Sequence, residues 1–375
     1  MNNAPQIKGW CPGALRPMMS ADGLVLRVRP WRGQLSADQA LGLCDLADAY
    51  GTGHLDLTNR ANLQLRGIGE DDHGAVLNKL RDLGLLDPDP ALEARRNVIV
   101  APFWTAGDDT QRLHDKLVAH LGALPALPGK CGFAIDCGPA PVLQEAPADM
   151  RIERGRDGLI LRADGAAQGQ DVTEDDLIPK LVQMTTWLSA RIGPAMRRMR
   201  KVLEHHRFPS DWTRLAPLAP APRPPIGTTQ RGHHIAAPFG QIDSHALRDI
   251  LSRSGARGLR LTPWRSVLLE NTEAPYHPAF VYAQNDPLLK VSACPGAPHC
   301  ASSSVETRHF ARGLAGRVDG ILHVSGCQKG CAFSGKAAVT LVGREGRFDL
   351  VRQGRASDTP DKTGLTPKDI LTGGL

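Results

Sequence analysis

The chain has 375 residues, 41% of them hydrophobic, and this length accommodates two domains or two copies of one. The composition excludes a disordered chain and a small fold stapled by disulfides. The net charge of +6 comes from arginines scattered along the chain, which argues against a nucleic-acid-binding stripe and favours an anionic small molecule as partner.

Nothing in the sequence predicts a membrane protein or a secreted one. No apolar run approaches the roughly 20 residues needed to cross a bilayer. The N-terminal segment MNNAPQIKGWCPGALRP lacks the apolar core of a signal peptide. We therefore expect a cytoplasmic protein, in which paired cysteines are more often metal ligands or catalytic groups than disulfides.

The first elements follow a β-α-β-β-α pattern. GLVLRVRP, starting at Gly23, predicts a strand, and SADQALGLCDLADAYG predicts a helix with Ser36 and Gln39 as capping box and Gly51 as left-handed C-cap. HLDLT and NLQLRGI predict two strands, and DDHGAVLNKLRDLG predicts a second helix. This order is most of a ferredoxin-like split βαβ unit.

A second copy of this pattern begins at about His233. HHIAAPFG predicts a strand, DSHALRDILSRSG a helix capped by Asp243 or Ser244, and GLRLTPWRSVLLEN a strand pair. GHLDLTNRANLQL and RGLRLTPWRSVLL share one apolar-polar alternation, with Arg60 and Arg265 near equivalent turns. The sequence therefore predicts an internal duplication.

Three kinds of segment separate the two copies. LPGKCGFAIDCG and GLILRADG predict further strands, and a long helical stretch begins at Thr173 and breaks at Gly193-Pro194. RLAPLAPAPRPPIGTTQRG is proline-rich and predicts an extended linker. The expected divisions are a first ferredoxin-like half-domain, an α/β region facing the cluster and substrate, a linker, a second half-domain and a cluster-binding region, at 1–90, 91–214, 215–232, 233–290 and 291–375.

Four of the eight cysteines form the pattern Cys294-x5-Cys300-x26-Cys327-x3-Cys331. Thiolates from two loops can close on one iron–sulfur cluster, and the glycines between them let the backbone approach it closely. A structural zinc site and four unliganded core cysteines remain the alternatives, although a five-residue gap is loose for a zinc knuckle. The other cysteines, Cys11, Cys44, Cys131 and Cys137, show no ligand spacing.

These motifs resemble a known family. ACPGAPHC followed by HVSGCQKGCA is similar to the signature of the sulfite and nitrite reductases, whose cysteines hold a [4Fe-4S] cluster and whose last cysteine also bridges to siroheme iron. LDLTNRANLQLRGI, NVIVAP and LPGKCGF resemble other motifs of that family. The resemblance implies an α+β fold with duplicated ferredoxin-like nitrite/sulfite reductase half-domains and a [4Fe-4S]-binding α/β region.

The resemblance also implies an anion-binding site with one departure. The reductases surround a small oxyanion with two arginines and two lysines. Arg60, Arg96 and Lys130 fall at three of these positions, and Gly132 falls at the fourth. Losing one cation weakens an oxyanion site and opens space instead.

Three further segments resemble the cobalamin-pathway branch of the family, in which the tetrapyrrole is the substrate. They are CPGALRPMMSADGLVLRVRP, LRLTPWRSVLLEN and FDLVRQGRASDTP. This resemblance implies oxidation of precorrin-3A by O2 with NADH as electron source, giving a hydroxyl group and a γ-lactone. No G-x-G-x-x-G fingerprint follows a predicted strand, so we expect a separate reductase protein to deliver the electrons.

A wall of basic and amide side chains would suit the carboxylates of such a substrate. Arg60, Asn62, Gln64 and Arg66 alternate along one predicted strand, so all four can face the same side of the sheet, although an ordinary solvated strand face would look the same. With Arg96 and Lys130 they predict a pocket between the halves, beside Cys331.

Two histidine pairs and two other functions stay open. His205-His206 and His233-His234 are candidate ligands for a separate mononuclear non-haem iron, but adjacent histidines point in different directions, which favours surface or structural roles. The alternative functions are a siroheme-dependent sulfite or nitrite reductase and a non-catalytic iron–sulfur or zinc protein that binds a partner.

Overall fold

The structure is a computed structural model that describes residues 11–194, 196–373 and 375. Its strands are β1 (Met18–Ser20), β2 (Gly23–Val28), β3 (Gln34–Ser36), β4 (His54–Leu57), β5 (Leu63–Ile68), β6 (Val98–Val100), β7 (Phe133–Asp136), β8 (Met150–Arg154), β9 (Leu159–Ala163), β10 (Gln170–Val172), β11 (Gly227–Thr229), β12 (Gly232–Ala236), β13 (Gln241–Asp243), β14 (Gly258–Leu261), β15 (Ser266–Glu270), β16 (Val291–Ala293), β17 (Leu322–Ser325), β18 (Ala337–Arg344), β19 (Arg347–Gly354) and β20 (Lys362–Leu365). Its helices are α1 (Ala37–Tyr50), α2 (His73–Asp82), α3 (Pro90–Arg95), α4 (Asp109–Ala119), α5 (Leu177–Ser189), α6 (Met199–Leu203), α7 (Ser244–Ser254), α8 (Arg308–Gly313) and α9 (Pro367–Gly373).

Two of the sheets repeat one topology. Sheet 1 has the order β1-β2-β5-β4-β13, and sheet 2 has the order β11-β12-β15-β14-β3, so the two match strand for strand. The last strand of each is exchanged: β13 pairs antiparallel with β4, and β3 pairs antiparallel with β14. The predicted duplication of a ferredoxin-like half-domain is therefore confirmed, but each half completes its sheet with a strand from the other.

The remaining two sheets repeat a second topology. Sheet 3 runs β6-β7-β8-β9-β10, and sheet 4 runs β16-β17-β18-β19-β20. In each of these sheets the first three strands pair parallel with one another. The fourth strand pairs antiparallel with the third, and the fifth pairs antiparallel with the fourth. The duplication thus extends to the α/β regions, which gives the α+β architecture that the resemblance implied.

Local capping signals explain where the helices begin. Ser36 and Gln39 form the predicted capping box of α1, and the Asp243 side chain accepts from the Ala246 N–H at the start of α7. The prediction for Gly51 was wrong, because its φ is −123°. The left-handed residue is Gly53 at φ 71°, whose N–H also bonds the Ala47 carbonyl.

The proline-rich segment does not run free between the halves. Leu215 and Pro217 bridge to Gly169 and Gly155 beside sheet 3. Its last part forms β11, inside the range expected to be linker, so the second repeat begins before His233. Edge pairing tolerates proline because an edge strand leaves some N–H groups unused.

The equivalent turns of the two halves differ by one position from the prediction. Thr58 bonds the Asn62 carbonyl in the first turn, and Thr262 bonds the Ser266 carbonyl in the second. The left-handed residues are Ala61 (φ 52°) and Arg265 (φ 59°). Arg265 therefore matches Ala61, and Arg60 matches Trp264.

Sheets 1 and 2 share one apolar core with α1, α2 and α7. Leu63 and Leu65 of β5 and Leu26 of β2 point into it. Because strand residues alternate between faces, Gln64, Arg66 and Arg27 point to the opposite side of sheet 1. In the described ranges, no helix combines the length and apolarity required to cross a bilayer.

Candidate cofactor and substrate site

The side of sheet 1 that faces away from the core carries a row of polar residues. Arg27 lies opposite Gln64, Gln64 opposite Asp56, and Asp56 opposite Gln241 across four adjacent strands. Directly opposed residues share a face, so these side chains form one line, which we call the polar face. Gln64 and Arg66 lie on it together, as predicted. Arg60 and Asn62 precede β5 and lie in the turn after β4, so the prediction that all four residues alternate along one strand was wrong.

Three buried arginines, Arg27, Arg29 and Arg60, form what we call the arginine cluster. They are 9%, 4% and 7% exposed. Among the described residues, no hydrogen-bond partner is found for Nε of Arg27, Nε and Nη1 of Arg29 or Nη1 of Arg60. Burial lowers the pKa of Arg29 to about 10, with Glu93 opposing the shift and Arg27 adding to it. Arg29 already has an anionic partner, because its Nη1 lies 3.4 Å from Oε1 of the buried Glu93. The unpaired donors of Arg27 and Arg60 are therefore the ones that call for a further anionic acceptor.

Arg60 reaches across to the loop before β7. Its Nη2 donates to the Lys130 carbonyl at 2.8 Å. Its Nη1 lies 2.9 Å from the point that a Cβ of Gly132 would occupy. Burial lowers the pKa of Arg60, and the positive charges of Arg198 and Arg27 lower it further. The structure thus places the Arg60 guanidinium beside the backbone of Lys130 and Gly132.

Arg66 joins the polar face to the cysteine-bearing region. Its guanidinium makes a forked ion pair with Asp22 at 3.1 and 3.0 Å. It also donates to the carbonyl of His299, the residue before Cys300, at 2.7 Å. Asn62 is buried, and its N–H donates to the Thr58 hydroxyl at 3.2 Å. Arg66 therefore holds a loop in place as well as lining the polar face.

Arg96 has a different environment from the one predicted. Its Nε and Nη2 each lie 2.7 Å from an oxygen of Asp87, and its guanidinium stacks 4.0 Å from the centre of the Trp31 ring. Both charged residues are almost fully buried. This guanidinium is used in a buried forked ion pair, which gives it a structural role, and its expected role as a substrate ligand stays a prediction.

The four patterned cysteines lie near one another. Burial raises the pKa of Cys327, and the charges of Cys300 and Cys294 raise it further. Desolvation raises the pKa of Cys331, and Cys294 and Cys327 act in the same direction, although the side chain of Cys331 is exposed at the surface. Mutual repulsion of this kind requires short separations. A bound metal centre would stabilise the thiolates of Cys327 and Cys331, which their surroundings otherwise disfavour.

The backbone around the cysteines is shaped as a cradle. The Gly326 N–H donates to Sγ of Cys294 at 3.1 Å. A Cβ at Gly326 would lie 2.3 Å from the Ser303 hydroxyl oxygen and 3.4 Å from that sulfur. Thr307 donates its hydroxyl hydrogen to the Cys294 carbonyl. The residues present therefore fit a [4Fe-4S] cluster, because such clusters need thiolates with nearby N–H donors and close backbone approach.

A single-ion site is not found in the part of the chain that the structure describes. No three His, Cys, Asp or Glu side chains there surround a position that could hold one metal ion. A cubane cluster places each thiolate on a different iron, so its ligands need not surround a single point. His234 uses both ring nitrogens structurally, on the Pro225 carbonyl at 2.8 Å and the Ser266 hydroxyl at 2.7 Å. His205 and His206 follow α6, and His233 and His234 lie on β12 of sheet 2. The two pairs therefore lie in different parts of the fold.

A cavity of about 340 Å³ separates the β4 and β13 end of the polar face from the cysteine loop and α8. Its charged lining includes Arg66, Arg308 and Arg312 opposite Asp56 and Glu306. Arg308 pairs with Asp56 at 2.9 Å. Of the six residues predicted to wall the pocket, only Arg66 lines this cavity, and neither Cys331 nor a member of the arginine cluster belongs to its lining.

Sequence reasoning missed Arg27, Arg29 and Arg308. In LVLRVRP the two arginines alternate with apolar residues, and an arginine repeated inside an apolar strand is the signal that could have found them. Arg308 stands in the sequence TRHFARG, where nothing local distinguishes it from an exposed helix residue.

The comparisons with known proteins agree with this arrangement. Residues 16–83 match the nitrite/sulfite reductase ferredoxin-like half domain. A precorrin-3B synthase from Sinorhizobium sp is 27% identical across 96% of this chain and 86% of its own length. This chain resembles precorrin-3B synthase of the nitrite/sulfite reductase family. The resemblance predicted from the cysteine pattern and the strand motifs is thereby confirmed.

Nitrite reductases are also similar. A ferredoxin–nitrite reductase from Leptolyngbya laminosa is 33% identical across 28% of this chain and 20% of its own length. A chloroplastic ferredoxin–nitrite reductase from Oryza sativa subsp. japonica is 22% identical across 90% of this chain and 68% of its own. The solved NirA protein of Mycobacterium tuberculosis superposes with a TM-score of 0.63 at 19% identity, over 92% of this chain and 78% of that one, which shows a shared fold. The matched half domain, residues 16–83, does not include the four patterned cysteines.

Proposed function

We propose that this chain is a precorrin-3B synthase, which oxidises precorrin-3A with O2 and NADH-derived electrons to a hydroxylated γ-lactone product. The observation that carries the proposal is the arginine cluster on the polar face. Arg27, Arg29 and Arg60 are buried next to one another, and four of their nitrogens have no hydrogen-bond partner among the described residues.

A precorrin supplies what this surface lacks. Its acetate and propionate groups form a rim of carboxylates, and each carboxylate accepts two parallel N–H bonds from a guanidinium. A single small oxyanion could satisfy one of these arginines, whereas a rim of carboxylates can satisfy several at once. Gln64 and Gln241 on the same row add neutral donors that fix orientation without further charge.

The residues proposed to hold the cofactor are Cys294, Cys300, Cys327 and Cys331, and a [4Fe-4S] cluster held there would supply single electrons. The chain's own part is to bind and orient. Gly326 donates a hydrogen bond to the Cys294 sulfur, and Arg66 ties the loop before Cys300 to the polar face. Because the sequence lacks a dinucleotide fingerprint, we propose that a separate reductase protein passes electrons from NADH.

A siroheme-dependent sulfite or nitrite reductase is the second candidate. The similarity to the two nitrite reductases favours it. Two observations weigh against it: Gly132 supplies no cation, and Arg96 is engaged by Asp87. An oxyanion reductase would then keep only Arg60 and Lys130 of the four cations that surround its substrate.

Two assays on the anaerobically reconstituted full chain test the proposal. Precorrin-3A turnover under air with an electron donor supports it, and reduction of sulfite or nitrite after siroheme loading, with no precorrin oxidation, would reverse it. A chain that loads iron and sulfide but performs neither reaction would be a non-catalytic iron–sulfur protein. Arg60→Ala should weaken precorrin binding by about 1.5 to 3 kcal/mol at unchanged iron content. Arg156→Ala, at an exposed arginine outside the site, serves as control.

A further inference from the structure

Arg265 touches both of the segments that carry the patterned cysteines. Its Nη2 donates to the carbonyl of Ala332, the residue after Cys331. Its Nη1 donates to the Ser292 hydroxyl at 3.2 Å, two residues before Cys294. One guanidinium on the second half-domain therefore bridges the two loops from which the four thiolates come.

The charge of Arg265 has no ion-pair partner among the described residues. Burial lowers its pKa, the nearby Arg308 lowers it further, and Asp56 opposes them. Asp56 itself is paired with Arg308 at 2.9 Å. The side chain of His323, which is fully buried behind the same loop, adds no negative charge. A positive charge is thus kept beside the cysteines without a carboxylate in direct contact, among the described residues.

Comparison of the two repeats shows that the turn does not require an arginine. Ala61 holds the matching position in the first half with nearly the same left-handed φ, 52° against 59°. An alanine satisfies this backbone as well as an arginine does, because both carry a Cβ. The arginine occurs in the repeat whose α/β partner carries the cysteines, which points to a role for its side chain there.

We propose that Arg265 is a positioning residue for the [4Fe-4S] cluster, holding both cysteine segments together and favouring the reduced cluster by its positive charge. The inference rests on the proposed function for the presence of that cluster. Reduction takes one electron from an external reductant and adds one negative charge to the cluster. A fixed cation nearby stabilises that added charge and makes the cluster easier to reduce.

The test compares Arg265→Gln, which keeps an amide donor but no charge, with Arg265→Lys, which keeps the charge but not the fork. Arg257→Gln, at an exposed arginine on the same half-domain, is the control. Iron and sulfide are counted on each anaerobically reconstituted full chain, and the cluster potential is measured by dithionite titration followed by electron paramagnetic resonance. We expect Arg265→Gln to load the cluster and to shift its reduction equilibrium at least tenfold towards the oxidised form, about 59 mV for one electron. The reduction potentials of Arg265→Lys and of the control should differ from that of the wild type by less than this amount.

Each result decides the proposal. The role of the charge is overturned if Arg265→Gln binds the cluster and shows the wild-type reduction potential. It is also overturned if the potential of Arg265→Lys shifts as far as that of Arg265→Gln. Either result leaves the proposed function intact. If Arg265→Gln does not bind the cluster, the reduction potential of Arg265→Lys decides the question alone. A wild-type potential in Arg265→Lys supports the proposal, and a tenfold shift of its reduction equilibrium overturns it. A wild-type chain that binds no iron and sulfide overturns the proposed function and this inference with it.

Discussion

The guanidinium of Arg60 rests on Gly132, with Nη1 2.9 Å from the position of a missing Cβ and Nη2 bonded to the Lys130 carbonyl at 2.8 Å. Gly132, which falls where the resemblance implies a cation, therefore also provides the surface on which Arg60 lies. A side chain at residue 132 would meet the Asn97 carbonyl oxygen at 2.8 Å as well, and that atom belongs to the backbone.

Gly132→Ala should therefore both destabilise the protein and displace Arg60. We expect a loss of roughly 1 to 3 kcal/mol, the usual cost of overpacking a tight site, together with weaker precorrin binding. Gly129→Ala is the matched control, because nothing lies within 4 Å of its Cβ position. Thermal unfolding midpoints and tetrapyrrole titrations measure both effects, and equal behaviour of the two variants would contradict the close packing of Arg60 on Gly132.

Removing one charge from the arginine cluster should have opposite effects on stability and binding. Arg27 is 9% exposed, and its Nε has no partner among the described residues. Arg27→Met keeps most of the side-chain volume, so the unliganded protein should be at least as stable as the wild type. Precorrin affinity should fall about 10-fold to 100-fold, the equivalent of one lost charged hydrogen bond.

Calorimetric scans and binding titrations on the same preparation separate the two effects. A variant that loses stability and keeps its affinity would show that Arg27 is structural rather than a ligand for carboxylates.

Arg96 is expected to matter for folding and little for ligand affinity. Arg96→Ala would leave the buried Asp87 carboxylate unpaired, at a cost of about 3 to 5 kcal/mol. The double variant Asp87→Leu with Arg96→Met removes both charges and should regain most of that loss. If Arg96→Ala folds with normal stability but binds precorrin more weakly, Arg96 is a substrate ligand, as the sequence alone suggests.

The parts of the fold that could be predicted are those governed by neighbours in sequence. The capping box of Ser36 and Gln39 uses side chains three residues apart, and the two faces of β5 follow from simple alternation. Gly51 failed as a left-handed cap because Gly53, two residues later, satisfies the same Ala47 carbonyl. Choosing between two nearby glycines needs the exit path of the chain, which the sequence does not encode locally.

The parts that could not be predicted depend on distant partners. Strand β8 is buried although it carries Arg151 and Glu153, because Asp164 and Arg162 on or next to β9 pair with them. Likewise nothing near Arg96 in the sequence distinguishes a pair with Asp87 from a free ligand. The exchange of β3 and β13 between sheets is invisible for the same reason, since edge strands choose partners far along the chain.

Acid should destabilise this protein partly through His323, which is fully buried on β17 and finds no partner for either ring nitrogen among the described residues. Burial, together with the positive charge of Arg265, lowers the pKa of His323 to about 4. The unfolded chain, with a histidine pKa of about 6.5, binds this proton more readily, so stability rises with pH between about 4 and 6.5. The contribution is complete above pH 6.5 and is lost as the pH falls towards 4, with a size of about 3 kcal/mol.

His323→Phe should flatten the dependence of the thermal unfolding midpoint on pH over this range, whereas His205→Phe at an exposed histidine should follow the wild type. Parallel curves for the wild type and His323→Phe would show that His323 does not carry this acid sensitivity.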